Sequence, residues 1–193
     1  EMISKCKERG LKTGILHHNS SQVEGKGIWK RKFDLLSKLP EVDIINLGGG
    51  IPISYGRREK VDVLSEIKDG IKRLKAKKIM MEPGRFIVGP ACSLVTKAVL
   101  VDGENVVLNA SVYNTHIDTI IAKLELPCRT INEGKAGEYC LLGSSLCNLD
   151  IFNYKAKLPK VETGDSVIFD YAGAYNFSSD FGSGSGIETY IID

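Results

Sequence analysis

The sequence predicts an α/β region over residues 1–90 and an antiparallel β domain over residues 91–193. Up to about Phe86, short apolar runs alternate with amphipathic helical segments, a pattern typical of parallel strands joined by helices. After Gly89-Pro90, the segments become β-rich and are separated by turn signals such as Asp102-Gly103. The strands predicted there are Ser93–Val101, Asn105–Asn109, Glu138–Leu142, Ser166–Asp170 and Ile187–Ile192.

The α/β region is predicted to contain three strands, each preceded by a helical segment. Residues 1–11 form a short helix that ends near Gly10, because glycine often terminates helices. The next two helices carry apolar residues at helical spacing, Trp29, Phe33 and Leu36 in one and Val61, Leu64, Ile67, Ile71 and Leu74 in the other. The predicted strands are Gly14–His17, Val42–Leu47 and Lys78–Met81.

The composition is that of a globular protein, with 42% hydrophobic and 26% charged residues. Lys and Arg together number 26 against 24 Asp and Glu, and the basic residues are scattered, which disfavours a nucleic-acid partner. Apolar runs such as Ser93–Val101 are shorter than the roughly 20 residues that a membrane-spanning helix requires. We therefore expect no membrane partner.

The five cysteines favour neither a disulfide framework nor a metal site. Their number is odd and none forms a CxxC pair; they are Cys6, Cys92, Cys128, Cys140 and Cys147. This usage predicts a reducing, cytoplasmic location.

The chain is predicted to be a fragment or a processed subunit. It starts within a helix, and position 1 is Glu rather than Met. Three βα units cannot close a (β/α)8 barrel, which has eight strands, so five units would be missing. The open sheet edge would then need to be covered by another segment.

Three consecutive glycines, Gly48, Gly49 and Gly50, follow the second predicted strand. Glycines in such a loop allow backbone N–H groups to approach an anion without interference from side chains, which predicts a phosphate site. The alternative is a tight turn that binds no ligand. In a β/α barrel, the carboxyl ends of the strands form the active-site face, and this position favours the phosphate site.

A second polar cluster, Glu82-Pro83-Gly84-Arg85, directly follows the third predicted strand. It places a carboxylate and a guanidinium at the end of an apolar strand. The two side chains could form a structural ion pair, or they could act on a ligand at the strand ends.

Several segments together resemble the fold-type III decarboxylases, a family that includes ornithine, diaminopimelate and arginine decarboxylases. INLGGGIP and MEPGRFIVGPA resemble the family's glycine-rich and EPGR segments, and LHHNSSQ is similar to its HVGSQ strand end. The resemblance extends from about Leu11 to the end of the chain. It implies a fold of α/β plus β type, in which the carboxyl-terminal part of a (β/α)8 TIM-like barrel, its last three βα units, is followed by the antiparallel β domain.

The resemblance also implies a cofactor, pyridoxal 5'-phosphate, and roles for individual residues. His18 would stack on the cofactor ring and Ser21 would contact its phosphate. Glu82 would keep the pyridine nitrogen protonated, which allows the ring to accept electrons. Arg85 would neutralise the phosphate or a substrate carboxylate. The remaining phosphate-binding residues would be Gly48, Gly49, Gly50, Pro83, Gly84 and Tyr175, the last in a segment that resembles the family's GAY.

Three departures from the family pattern affect the predicted activity. No segment matches the family's YAxK, which carries the Schiff-base lysine, so the chain is predicted to be inactive alone. The cysteine motif is shortened by one residue before Asp150, which leaves either Cys147 or Leu146 at the position of the proton donor; we favour Cys147, with an inert buried cysteine as the alternative. Asp118 stands near the place of an arginine that binds a distal carboxylate in diaminopimelate decarboxylases.

Asp118 would repel a distal carboxylate and suit a distal amine, although it could also be a solvated surface carboxylate. At the position of the ornithine decarboxylases' own aspartate, this chain has Ala122. We predict decarboxylation of a basic amino acid, with Cys147, Glu82 and His18 in catalysis and Asp118, Arg85 and Asp150 contacting the substrate.

The family resemblance implies a homodimer in which the cysteine motif completes the partner's site. Two alternatives remain open at this point. One is a non-catalytic homologue that binds other proteins as a regulator. The other is an amino acid racemase of the same barrel class, against which Glu82 argues because racemases generally place an arginine at the pyridine nitrogen.

Overall fold

The computed structural model divides into two compact units, Glu1–Ile87 and Val88–Asp193. It describes residues 1–22, 25, 27–55, 63–175 and 188–192. The division lies three residues before the boundary that the sequence predicts after residue 90. No helix of the described residues is long and apolar enough to cross a membrane.

The first unit contains a three-stranded parallel sheet in the order β1-β2-β3. Its elements are α1 Met2–Glu8, β1 Gly14–Leu16, α2 Ile28–Leu36, β2 Val42–Asn46, α3 Val63–Ile71 and β3 Ala76–Met80, followed by α4 Gly84–Val88, which runs across the division. Asn46 is in register with Leu16 on one side and with Met80 on the other. Because the strands are parallel, their carboxyl ends meet at one edge of the sheet, where His18, Gly48 and Glu82 follow them.

The core of the first unit forms between α2, α3 and the sheet. Trp29, Phe33 and Leu36 are buried on α2, as their spacing predicts. The buried face of α3 differs from the prediction, because Leu64 is 49% exposed.

The buried residues of α3 are Val63, Ile67 and Gly70. A side chain at Gly70 would overlap the ring of Phe33, so glycine allows the two helices to approach closely. This contact places Gly70 rather than Leu64 on the buried face. Val61, the first residue of the predicted face, lies outside the described residues.

The second unit contains a six-stranded sheet in the order β6-β9-β4-β5-β7-β8. Its elements are β4 Leu94–Asp102, β5 Asn105–Leu108, α5 Val112–Thr115, α6 Asp118–Ile121, β6 Cys128–Thr130, β7 Gly137–Leu142, β8 Ile151–Leu158 and β9 Ser166–Phe169. The predicted antiparallel sheet is wrong at one pairing, since β5 and β7 are parallel. The chain between them passes through α5, α6 and β6, and such a crossover returns a strand in the same direction.

Two strands of this sheet, β6 and β8, are not predicted from the sequence. β8 buries Phe152, Ala156 and Leu158, and the Phe152 ring stacks on Phe169 of β9 at a centroid distance of 4.9 Å. Conversely, the described residues 188–192 of the predicted strand Ile187–Ile192 form no strand, and Ile187 lies outside the described residues. Tyr190, Ile191 and Ile192 are exposed, so burial does not stabilise an extended segment there.

Replacing Phe33 by alanine tests the importance of the α2–α3 contact. Phe33 is fully buried, so we expect Phe33→Ala to lower the free energy of unfolding by about 3–5 kcal/mol. Leu35→Ala is the matched control, because Leu35 lies on the same helix and is 56% exposed. Urea denaturation monitored by tryptophan fluorescence measures both. An equal effect of the two substitutions would contradict this packing.

Candidate active-site residues

The loop after β2 passes so close to the neighbouring strand ends that side chains are excluded at three positions. A Cβ atom on Gly48 would lie 2.7 Å from Nδ1 of His18, one on Gly49 would lie 2.6 Å from the backbone oxygen of Glu82, and one on Gly50 would lie 2.5 Å from the backbone oxygen of Ser20. Gly48 and Gly50 also have φ angles of 60° and 90°, which favour glycine. The glycine loop, Gly48–Gly50, therefore packs between the segments that follow β1 and β3.

The imidazole of His18 is held against this loop. The N–H of Gly49 donates to Nδ1 of His18 at 3.1 Å. In this arrangement Nδ1 accepts, so the proton of the neutral ring is on Nε2. The side chain is otherwise exposed, which leaves the ring accessible to a ligand.

The carboxylate of Glu82 is connected to the same loop through Asn46. The amide nitrogen of Asn46 donates to Oε1 of Glu82 at 2.8 Å, and Oδ1 of Asn46 accepts from the N–H of Gly48 at 2.8 Å. The N–H of Glu82 donates to the Gly48 oxygen at 2.9 Å, which ties the two strand ends together. Both ends of the Asn46 amide are thus occupied, and its orientation is defined.

The N–H groups of Gly48, Gly49 and Gly50 differ in whether they already have a hydrogen-bond acceptor within the protein. Those of Gly48 and Gly49 donate to Asn46 and His18. The described residues provide no hydrogen-bond acceptor for the N–H of Gly50. Of the three amides predicted to grip an anion, Gly50 is therefore the one that can donate to it without losing an internal bond.

Arg85 is buried within the first unit, and two hydroxyl groups surround its guanidinium. It donates to the Tyr55 hydroxyl at 2.7 Å and to the Ser21 hydroxyl at 3.3 and 3.4 Å. The predicted alternative, an ion pair between Glu82 and Arg85, does not form, because Glu82 bonds to Asn46 instead. Pro83 and Gly84 lie at the start of α4, where a Cβ on Gly84 would meet open space.

In the second unit, the thiol of Cys147 and the hydroxyl of Tyr113 lie 2.9 Å apart. Their hydrogen bond lowers the pKa of Cys147 from its usual value and raises the pKa of Tyr113 to about 12. Both directions follow if the phenol donates to the thiolate, because the bond stabilises the ionised thiol and the neutral phenol. Cys147 is exposed, so the predicted alternative of a buried, inert cysteine is wrong.

Asp150 anchors the loop that carries Cys147. Its carboxylate is buried and accepts from the N–H groups of Val112 and Ser145, at 2.8 and 2.9 Å. Gly143 packs so closely on this carboxylate that a side chain there would overlap it. These contacts show that the Asp150 carboxylate stabilises the fold of this loop. Its contact with a substrate stays a prediction.

The other two predicted residues of the second unit differ in exposure. Asp118, the first residue of α6, is 7% exposed, so the alternative of a solvated surface carboxylate is wrong. Tyr175 is exposed and has a φ of 60°. It follows Gly173, where the Val88 oxygen approaches so closely that a side chain would not fit.

Sequence comparison finds similarity to several diaminopimelate decarboxylases. The chain is 28% identical over 159 residues to a diaminopimelate decarboxylase of Methanothermobacter thermautotrophicus, covering 72% of this chain and 36% of that protein. It is 28% identical over 208 residues to the diaminopimelate decarboxylase of Staphylococcus aureus, covering 92% of this chain and 47% of that protein. No family model matches the chain.

Two solved structures share the fold. A lysine/ornithine decarboxylase from Vibrio vulnificus, complexed with putrescine, aligns with a TM-score of 0.80 at 22% identity over 96% of this chain and 56% of that one. Diaminopimelate decarboxylase from Helicobacter pylori, complexed with L-lysine, aligns with a TM-score of 0.78 at 24% identity over 94% and 50%. The chain is thus similar in sequence to diaminopimelate decarboxylases and shares its fold with these two decarboxylase structures. It spans about a third to a half of the length of these curated relatives.

Three residues that the sequence does not predict participate in the candidate site. Asn46 is the last residue of β2, two positions before Gly48, and the sequence signal for it is an amide side chain at a strand end. Tyr55 and Tyr113 contact residues 30 and 34 positions away in sequence, and nothing local indicates these contacts. No group of three or more His, Cys, Asp or Glu side chains in the described parts of the chain could hold a metal ion.

The Tyr113–Cys147 bond can be tested by alkylation. Tyr113→Phe removes the donor, so we expect the thiol pKa to rise and the reaction of Cys147 with iodoacetamide near pH 7.5 to slow several-fold. The difference should disappear at a pH high enough to ionise the thiol in both proteins. Peptide mass spectrometry gives the rate at each cysteine, and Tyr154→Phe, at an exposed tyrosine, is the control. Equal rates for wild type and Tyr113→Phe at every pH would contradict the assignment.

Proposed function

We propose that the protein containing this chain decarboxylates a basic amino acid with pyridoxal 5'-phosphate as its cofactor. The observation that carries the proposal is the convergence of His18, the glycine loop and Glu82 at the ends of three adjacent parallel strands. Its relatives support it, since they are diaminopimelate, lysine/ornithine and arginine decarboxylases. One structural neighbour was solved in complex with this cofactor and cadaverine.

The residues of the first unit fit this cofactor. The glycine loop offers a surface without side chains, and the Gly50 N–H is available to an anion. Ser21 and Arg85 add a hydroxyl and a cation, which is the chemistry that binds a phosphate group. The exposed carboxylate of Glu82 retains acceptor capacity besides Asn46 and can accept a hydrogen bond from a ring nitrogen.

When bound, pyridoxal phosphate would provide the electron sink into which the bond between the α-carbon and the carboxylate breaks. Glu82 would keep a proton on the ring nitrogen, and His18 would hold its imidazole against the ring. Cys147 would return a proton to the α-carbon, and its lowered pKa supports this role. Asp118 would favour a substrate with a distal amine.

The remaining parts of the proposal concern the whole protein. We propose that the parallel sheet is part of a (β/α)8 barrel and that the Schiff-base lysine lies outside this chain, which would then be inactive alone. A homodimer, in which Cys147 acts in the partner's site, is proposed from the family resemblance. The predicted cytoplasmic location is supported by five free cysteines. The phosphate contact of Tyr175 stays a prediction.

Substitution in the glycine loop tests cofactor binding. Gly49→Ala places a Cβ atom 2.6 Å from the Glu82 oxygen, so the loop is expected to shift and the affinity for pyridoxal phosphate to fall at least about tenfold. Gly14→Ala is the control, since its nearest contact would be 3.6 Å. Absorbance titration of the full protein with the cofactor measures both. If neither the wild type nor Gly14→Ala binds pyridoxal phosphate, the enzyme proposal fails and the regulator alternative is favoured.

Replacement of Glu82 tests its catalytic role. Glu82→Gln is nearly isosteric but cannot keep the ring nitrogen protonated, so cofactor binding should persist while kcat falls on the order of 100-fold. Release of carbon dioxide from L-lysine, L-ornithine, L-arginine and meso-diaminopimelate measures the activity. Glu41→Gln, an exposed carboxylate of the same unit, should leave it unchanged. Full activity of Glu82→Gln would contradict the role.

A further inference from the structure

A continuous polar connection leads from a buried amine to the Glu82 carboxylate. Nζ of Lys32, on α2, donates to the oxygen of Leu47. The N–H of the same peptide unit, which belongs to Gly48, donates to Oδ1 of Asn46 at 2.8 Å. The amide nitrogen of Asn46 then donates to Oε1 of Glu82 at 2.8 Å. Lys32 and Asn46 have no other task in the proposed chemistry.

The position of Lys32 is unusual for a lysine. Its side chain is 3% exposed, and its ammonium lies 4.6 Å from the centre of the Trp29 ring. Lysines are almost never fully buried unless their charge is compensated. The acceptors in this case are the Leu47 oxygen and the face of the indole. Burial lowers the pKa of Lys32 to about 8, so the amine is still largely protonated at neutral pH.

The Lys32 ammonium, bonded to the Leu47 oxygen, also affects the N–H at the other end of the same peptide unit. Donation to the Leu47 oxygen withdraws electron density from the peptide and makes the Gly48 N–H a stronger donor, as in other cooperative chains. That N–H fixes the orientation of the Asn46 amide, because its oxygen must face Gly48. The Asn46 nitrogen is then directed at Glu82.

We propose that Lys32 and Asn46 are positioning residues that hold the Glu82 carboxylate in its working orientation. The inference deepens the proposed function and rests on it, because it assumes that Glu82 accepts a hydrogen bond from the ring nitrogen of the bound cofactor. Lys32 acts through Leu47 and Gly48 and touches no reacting atom. Asn46 is the last member of the chain and contacts Glu82 directly.

The first test is independent of the cofactor. Lys32→Met keeps an unbranched side chain of similar size but removes the donor, so hydrogen exchange of the Gly48 amide, followed by NMR on the full protein, should accelerate at least about tenfold. The Ile45 amide, in the middle of β2, should keep its rate. Lys30→Met, on the exposed face of the same helix, is the matched control. Unchanged exchange at Gly48, or equal acceleration at Ile45 and Gly48, would overturn the proposal.

The second test uses the kinetics of decarboxylation. Asn46→Asp keeps the acceptor for Gly48 but places a carboxylate oxygen against Glu82, so kcat should fall about tenfold or more with the Gly48 exchange rate preserved. Lys32→Met should lower kcat with a KM within about twofold of wild type, because the substrate is not contacted. Wild-type kcat in both variants would overturn the positioning role. An enzyme in which Glu82→Gln is also fully active would instead overturn the proposed function of Glu82.

Discussion

The close packing of the glycine loop against the ends of its two neighbouring strands is the constraint on which the candidate site depends. Parallel pairing of β1, β2 and β3 brings three strand ends to one edge, with neighbouring strands about 4.8 Å apart. Removing three Cβ atoms lets the Gly48–Gly50 backbone contact His18, Ser20 and the Glu82 backbone directly. At Gly48 and Gly50 the positive φ angles also favour glycine, so close approach and backbone conformation select the same residue.

Two cations of the first unit, Lys32 and Arg85, are buried, and both donate to oxygen atoms. Lys32 donates to the Leu47 oxygen, and Arg85 donates to the Tyr55 and Ser21 hydroxyls. Burying a charge opposes folding unless hydrogen bonds offset it, and an apolar residue at such a position is often equally stable or more so. Their burial is consistent with the tasks that we propose for Lys32 and Arg85 at the site.

The parallel unit was largely predictable from sequence, whereas the second sheet was only partly so. Alternation of apolar runs with helical spacing indicates local βα order, and pairing follows from it because consecutive strands lie side by side. In the second unit, β5 pairs with β7 across an intervening crossover, and this partner depends on the whole sheet. β8, by contrast, carries a local signal, because Phe152, Ala156 and Leu158 alternate with the exposed Lys155 and Lys157 as in a half-buried strand.

The same distinction separates the site residues that sequence predicts from those it does not. His18, Gly48 and Glu82 lie directly after strands, so their convergence follows from the order of the elements. Lys32 lies three residues after Trp29, so helical spacing places it on the buried face of α2, but its hydrogen bond to the Leu47 oxygen depends on tertiary packing. Hydrogen bonds to backbone oxygens leave no local pattern, because every residue offers the same acceptor.

The geometry around Cys147 bears on the shortened cysteine motif. Leu146 is fully exposed and offers no proton, while Cys147, the next residue, has a thiol that bonds to Tyr113. Asp150 anchors the loop by accepting hydrogen bonds from the N–H groups of Ser145 and Val112. The hydrogen bond to Tyr113 lowers the pKa of this thiol, so Cys147 releases a proton more readily than an ordinary cysteine. An exposed thiol that bonds to Tyr113 supports our proposal that Cys147, not Leu146, is the proton donor.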